Sequence, residues 1–349
     1  MKALPILDIN SKEQVKRYEK FLKDNNASAM QDLKWGKVKS NWIQEAVYIE
    51  ENGEIIATMT ILLNKVPIFN SYMMYASRGP VCDITNIELV KKIVKEADVI
   101  AKKYNAFVLK FDPEFKSDKM VKEMYIKNGF KVIDSLNVIQ PRHNMVLEIE
   151  NKTEEQLLKQ FAEKTRYNIR LATRKGVQVR YSRDKEDLKI FYDLYKTTTI
   201  RDQIGCRPYE YFERMLDAYD ENELRIYIAY HDKDNLSSAI ALNYGGKMFY
   251  IYGASSNEKR NLMPNYLMQW EMIKWGLENK CNNYDFGGVF EFTNENGLYK
   301  FKSGFCKVEG IAEYIGEIDK VYKPIIHFGY TNLAPAIANI KKKLKRKTK

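Results

Sequence analysis

Two well-separated stretches of the chain carry the same succession of hydrophobic periodicities, and that repetition restricts the fold more than any other feature. In the first, "EAVYIEENGEIIATMTILL" (Glu45 to Leu63) alternates around Asn52-Gly53. That dipeptide tolerates positive φ and suits a tight reversal, so a β-hairpin is expected. A strand-like run at Tyr72 to Ala76 follows, then Ile87 to Tyr104 with apolar residues at helical spacing. "AFVLKFDP" reads as a buried strand ending at Asp112-Pro113, and a second helix, Lys116 to Asn128, stops at Gly129. In the later stretch, Leu224 to Ser255 gives three strands, joined by a polar turn near Asp232 to Asn235 and by Gly245-Gly246. An amphipathic helix over Asn265 to Lys280 and the short strand "YDFGG" complete the same order.

Antiparallel strands, then a helix, then another strand are the order of an acyltransferase module of the N-acetyltransferase type, here present twice. The expected fold class is therefore α/β (α+β). It comprises two N-acetyltransferase-like (GNAT) domains side by side, over residues 1–150 and 151–323, and a basic C-terminal helix over 324–349. A length of 349 residues agrees with two cores rather than one. Aromatic residues at 13% exclude a disordered chain and leave rings to line clefts. Cys82, Cys206, Cys281 and Cys306 are dispersed without CxxC spacing and there are three histidines, so neither a zinc site nor a disulfide framework is expected. The N-terminus lacks the apolar core of a signal peptide and no apolar run of about 18 residues occurs, so a cytoplasmic location is expected.

The net charge of +11 is concentrated at the end, where "KKKLKRKTK" holds seven basic groups and no acid. Leu333, Ile337, Ile340 and Leu344 recur upstream at heptad-like spacing, a thin apolar stripe beneath a basic face. A helix lying on an anionic membrane, a solvated tail and an RNA contact all fit that pattern. A second basic feature lies between the two modules. Thr153 with Gln156 fits a capping box, and beyond it Arg166, Arg170 and Arg174 repeat every four residues with Tyr167 interleaved. This one-sided ridge suits phosphate contacts and equally a solvated helix face. In "LYKFKSGF" (Leu298 to Phe305), helical spacing puts Tyr299 and Lys302 on one face and Lys300 on another. One lysine therefore faces inward, which requires a carboxylate nearby or an anionic ligand unless the side chain snorkels.

The motifs "QDLKWGKVKSNW", "YASRGPVCD", "FVLKFDPEF", "IQPRHNMVLEI", "KTRYNIRLATRKGV", "CRPYEYFERM", "YIYGAS", "YDFGGV", "LYKFKSGF" and "EYIGEIDKVY" stand in collinear order up to about Lys323. Together they resemble the Fem family of peptidoglycan-bridge aminoacyltransferases, in its FemX-like form without the coiled-coil arm. The resemblance implies transfer of Ala, Ser or Gly from aminoacyl-tRNA to the side-chain amine of residue 3 of a muramyl pentapeptide. The acceptor would be UDP-MurNAc-pentapeptide or lipid II, and the step would begin an interpeptide bridge. It implies aminoacyl-tRNA as co-substrate with no cofactor and no metal; a monomer is expected, and for a lipid-linked acceptor the basic tail gives the chain a reason to sit at the inner membrane face.

Carried over by position, Lys39 and Arg207 match the pair that clamps the precursor diphosphate, and Tyr211 a neighbouring phosphate or uridine contact. Arg supplies a fork of donors and Lys a mobile point charge. Tyr252 matches a substrate-contacting tyrosine, and Tyr250 is expected to share its strand face. Phe107 stands where a groove tyrosine is expected, and Gly205 where a threonine helps hold phosphate. Asp112 is placed to orient the attacking amine or accept its proton, or else only to form an Asp-Pro turn. Lys302 matches the family's functional lysine, with Phe301 beside it, and Arg166, Arg170 and Arg174 fall to the tRNA side. A CoA-dependent N-acetyltransferase and a non-enzymatic tRNA- or membrane-binding adaptor are the competing readings. The first lacks a glycine-rich pyrophosphate loop opening a helix, since "RKGVQV" runs into a strand.

Overall fold

The structure, a computed structural model, describes residues 6–136 and 138–333. Helices α1 (Lys12–Asp24) and α2 (Lys34–Val38) lead into β1 (Ile43–Glu51), β2 (Glu54–Val66) and β3 (Ser71–Ala76). Then come α3 (Ile87–Lys103), β4 (Ala106–Phe111), α4 (Lys119–Lys127), β5 (Lys131–Ile133) and β6 (His143–Glu148). The middle of the chain forms α5 (Glu154–Gln160), α6 (Glu163–Arg174), β7 (Gln178–Ser182), α7 (Lys185–Arg201) and α8 (Tyr209–Ala218). Strands β8 (Leu224–His231), β9 (Asp234–Tyr244) and β10 (Lys247–Ser255) precede α9 (Pro264–Glu278) and β11 (Asn283–Gly288). The last elements are α10 (Gly297–Phe305), β12 (Ile311–Glu313), β13 (Glu317–Val321) and α11 (Pro324–Phe328), with a π-turn over Gly329–Leu333.

The strands form two sheets, in the orders β1-β2-β3-β4-β13-β5 and β12-β6-β11-β10-β9-β8-β7. Each repeats one pattern. An antiparallel meander ends in a strand that crosses over through a helix to a parallel neighbour, β3 to β4 through α3 and β10 to β11 through α9. Asn52 and Gly53 close the first hairpin with φ of 54° and 84°.

Neither compact unit is continuous in sequence. The first comprises the chain up to Phe21, Ser40–Val138 and the part from Ile315 on; the second comprises Leu22–Lys39 and Ile139–Tyr314. The difference from a linear division near residue 150 lies in two strands. β6, which follows the first module in sequence, pairs with β11 and β12, whereas β13, which follows the second, inserts between β4 and β5.

In the first unit, Val90, Ile93, Val94, Ala97 and Ile100 of α3 pack on Met59, Ile61, Leu109 and Phe111. The opposite face of that sheet holds Met73, Tyr75, Phe107 and Val108 beneath Ile326 and Tyr330. In the second unit, Met268, Met272, Ile273 and Trp275 of α9 pack on Tyr227, Ala239, Ala241 and Met248. Each of the Val, Leu, Ile, Phe and Met side chains among these contributes roughly 1.5–3 kcal/mol when fully buried.

Local chemistry sets the element ends. α4 starts at Lys119 rather than Lys116 because the Asp118 carboxylate accepts the Val121 N–H at 2.9 Å. The capping box at Thr153 and Gln156 forms with bonds of 2.8 and 3.3 Å. The extended Phe161 and Ala162 then separate α5 from the basic helix α6. Of the C-terminal helix expected over 324–349, the described part is α11 and the π-turn. Ile337, Ile340, Leu344, the Lys341–Lys349 tail and the side chain of Leu333 lie outside the described residues.

Candidate functional site

Lys39 ends α2 and sends its ammonium over two rings, 5.4 Å from the centroid of Trp35 and 5.2 Å from that of Tyr211. Two contacts fix the segment that carries it. Lys34 pairs with Glu223 at 2.5 Å, and Arg214 Nε donates to the Val38 carbonyl at 3.1 Å. Arg207 precedes α8, which begins behind Pro208, and its guanidinium lies 5.4 Å from the same Tyr211 ring. The Arg207 backbone N–H donates to Tyr195 Oη at 3.3 Å, and that hydroxyl donates to the Gly205 carbonyl at 3.3 Å. Burial, reinforced by the Arg207 charge, pulls the Lys39 pKa down to about 8. Neither Lys39 nor Arg207 forms an ion pair with a described carboxylate. Two mutually repelling cations over one aromatic floor form a site for an anion with more than one acceptor oxygen. Tyr252 extends the floor, donating to Tyr211 Oη at 3.1 Å.

A second cationic centre lies under the glycine turn of β11. Asn296 caps α10 by accepting the Tyr299 N–H at 2.9 Å, and the resulting helix turns Lys302 inward while Lys300 stays exposed. Lys302 is 5% exposed, and its ammonium donates to the Gly288 carbonyl at 2.9 Å. Burial lowers its pKa to about 8, against the opposing pull of Asp285. The Asp285 carboxylate accepts the Gly287 N–H at 2.7 Å and Asn144 Nδ2 at 3.2 Å, which fixes the turn. A Cβ built on Gly287 would lie 3.7 Å from Lys302 Nζ and 4.0 Å from the Tyr250 carbonyl oxygen. Phe301 precedes the lysine on the same helix, its ring 4.9 Å from that of Tyr266. Strand β10 therefore borders both cationic centres, through Tyr252 at Tyr211 and through Tyr250 near Gly287.

Among the other expected residues the structure places Asp112 at the end of β4, as expected, and Tyr250, Phe107 and Arg166 differently. Tyr250 and Tyr252 do not share a face. A bulge between them pairs Tyr250 with Ala241 and Tyr252 with Ile240, so the two side chains leave opposite sides of the sheet. Tyr250 joins the core under α9, and Tyr252 meets Tyr195, Tyr211 and Phe212. Phe107 has no exposed surface and packs 5.3 Å from the Tyr330 ring, so it is a core residue here rather than a groove wall. Asp112 is buried just past β4, where it accepts from Tyr75 Oη at 2.8 Å and from the Arg78 N–H at 2.7 Å. Burial pushes its pKa up to about 6 against the pull of Arg78.

Along α6, Arg166 turns back to cap α5, donating to the carbonyls of Phe161 at 2.5 Å and Lys159 at 3.2 Å. Arg170 and Arg174 remain exposed. With Arg166, Tyr167 and Glu163 they line a shallow hollow of about 390 Å³. Trp35, Tyr195, Arg214 and Asp285 also shape the cationic centres. Of these Trp35, inside "LKWGKV", and Asp285, inside "YDFGG", lay in motifs visible beforehand, whereas nothing local marked Tyr195 or Arg214. Among the described residues, no group of three or more His, Cys, Asp or Glu side chains is placed to hold a metal ion, and no helix is long and apolar enough to cross a membrane.

Two sheets, each with a meander and a helical crossover to a parallel strand, define an N-acetyltransferase-like tandem fold. The sequence pattern of the FemAB family matches residues 14–131, 117–244 and 222–334, and the chain belongs to that family. It is 38% identical over 334 residues to a UDP-N-acetylmuramoylpentapeptide-lysine N(6)-alanyltransferase of Weissella viridescens, covering 93% of this chain and 98% of that one. It is 29% identical over 407 residues to a lipid II:glycine glycyltransferase of Staphylococcus epidermidis, covering 95% and 97%. Among solved structures, it superposes on the crystal structure of FemX with a TM-score of 0.82 at 26% identity, covering 91% of this chain and 98% of that one.

Proposed function

We propose that this protein transfers an aminoacyl group (alanyl, seryl or glycyl) from aminoacyl-tRNA to the side-chain amine of the third residue of a muramyl pentapeptide, carried by UDP or as lipid II. The observation that carries this reading is the pair Lys39 and Arg207 above Tyr211, cations without a carboxylate partner among the described residues that suit a diphosphate. The relatives named for action on UDP-N-acetylmuramoylpentapeptide and on lipid II support the acceptor class.

The ester of an aminoacyl-tRNA is already activated, so the reaction needs aminoacyl-tRNA as co-substrate and no cofactor. The acceptor ammonium loses a proton, and its nitrogen then attacks the ester carbonyl to give a tetrahedral oxyanion. Collapse breaks the bond to the ribose oxygen, which takes the remaining ammonium proton and leaves an amide and free tRNA. Lys302, cationic below pH about 8 and shielded from solvent, stabilises the oxyanion or the adjacent tRNA phosphate. Tyr252 and Tyr211 position the precursor, and Arg170 and Arg174 meet the tRNA backbone. Asp112, held by Tyr75 and Arg78, orients the amine. Mass spectrometry of UDP-muramyl pentapeptide and of lipid II, each incubated with the protein and alanyl-, seryl- or glycyl-tRNA, tests the proposal. One residue mass should be added at the third position with at least one of these. Both acceptors left unmodified with all three, or an acetyl group gained from acetyl-CoA instead, refutes it.

A further inference from the structure

The first unit exposes large apolar side chains at one end of its sheet. Ile68 is 77% exposed, Ile325 89% and Phe328 61%. Several contacts gather the elements that carry them. The Asn105 carbonyl accepts Ser71 Oγ at 2.5 Å and Lys323 Nζ at 3.0 Å, and Asn105 Nδ2 donates to the Asn70 carbonyl at 3.2 Å. These bonds tie the Pro67–Asn70 turn to the start of α11. A Cβ built on Gly329 would lie 3.1 Å from the Phe69 ring, which brings the turn against the end of the same helix. Helix α11 is sorted by face. Ile326 and Tyr330 pack on Phe107 and Val66, and His327 is buried against Asp319 at 2.9 Å, whereas Ile325 and Phe328 point outward.

Cations flank this apolar end. Lys65 and Lys102 are exposed, Lys320 and Lys323 half-buried, and Lys102, Lys320, Lys323 and Tyr322 line a hollow of about 450 Å³. Asp98, the acid beside it, accepts the Tyr322 hydroxyl at 2.8 Å. The sequence that leaves this end of the unit carries seven further basic residues and no acid. Protruding apolar side chains with a cationic surround and a cationic continuation match a bilayer carrying anionic headgroups better than they match another protein surface.

We propose that the end of the first unit bearing Ile68, Ile325 and Phe328 docks on an anionic lipid surface, with the surrounding lysines at the headgroups. This goes beyond the transfer reaction and is tested without it. The full-length protein is sedimented with vesicles of phosphatidylglycerol and phosphatidylcholine, and with vesicles of phosphatidylcholine alone. The parent should bind the anionic vesicles selectively. Ile325→Glu with Phe328→Glu should weaken that binding at least tenfold while the thermal unfolding midpoint stays unchanged, since both sites are exposed. A parent that ignores the anionic vesicles overturns the proposal, as does a charged variant that binds like the parent. Phe328→Trp in a Trp42→Phe background gives an independent reading, because Trp42 is half-buried in the same cluster as Ile326, whereas Trp35, Trp270 and Trp275 are buried and the added indole is distinguishable from them. Its emission should be that of an exposed indole in buffer and shift to the blue with anionic vesicles. Emission already blue without lipid means that another part of the chain or a second copy covers the patch, and emission that never shifts means no insertion; each contradicts the proposal.

Discussion

Lys302 sets stability against function. Its pKa is lowered to about 8 from 10.5 by burial, so between those values the folded chain binds fewer protons than the unfolded one and stability rises with pH. At neutral pH the buried cation opposes folding, and it is present where an anion would need it. Lys302→Met should therefore raise the unfolding midpoint at pH 7 and lower transfer roughly 100-fold, the scale of losing one oxyanion donor. Parent transfer should decline above pH about 8 as the ammonium deprotonates, although the attacking amine becomes more reactive there. A variant with unchanged transfer removes the assigned role. Asp112 has the opposite sign. Its pKa is raised to about 6 from 3.8, so the folded state holds the proton more tightly in that window and this carboxyl's contribution to stability falls as pH climbs through it. Asp112→Asn should flatten that slope in pH-dependent thermal melts. A loss of transfer beyond the loss of folded protein would assign Asp112 to the amine as well as to the loop.

At the scale of the element, periodicity located most strands and helices because apolar alternation and helical spacing are local properties. Gly53, Gly129 and the Thr153 box signalled their own turns and cap. The bulge at Tyr250 and Tyr252 was not legible, since an inserted residue leaves the alternation of a short aromatic strand looking regular. The break between α5 and α6 was equally hidden, being set by the Gly304 carbonyl, which accepts the Ala162 N–H at 2.8 Å from far along the chain. Gly304 also permits α10 to approach α6 closely, because a Cβ there would overlap Thr165 Oγ1. Gly304→Ala should destabilise the chain by about 1–3 kcal/mol, the usual cost of overpacking, measured by chemical denaturation. It should also lower transfer, because α10 carries Lys302. Unchanged stability would show that the two helices can separate without penalty.

For the whole molecule, the exchange of β6 and β13 matters most, and sequence order could not reveal it because strand partners lie more than a hundred residues apart. Lys110 on β4 is buried and bonded to Glu317 at 2.6 Å and Asp319 at 2.8 Å, both on β13. A chain ending at Tyr314 would lose the strand between β4 and β5 and leave the Lys110 charge uncompensated. Such a truncation should show no cooperative unfolding of its first unit by calorimetry or amide exchange, whereas a native-like transition would mean that β13 is dispensable. The resemblance in motif order, by contrast, was readable along most of the chain, as were Lys39, Arg207 and Tyr211, because they lie in short contiguous motifs. Their meeting over one ring was not readable. That meeting is the central claim, and isothermal titration calorimetry with UDP-muramyl pentapeptide tests it most directly. Lys39→Gln and Arg207→Gln should each weaken binding at least tenfold, and the double variant should bind too weakly to measure. Affinity equal to the parent's in both single variants would contradict it.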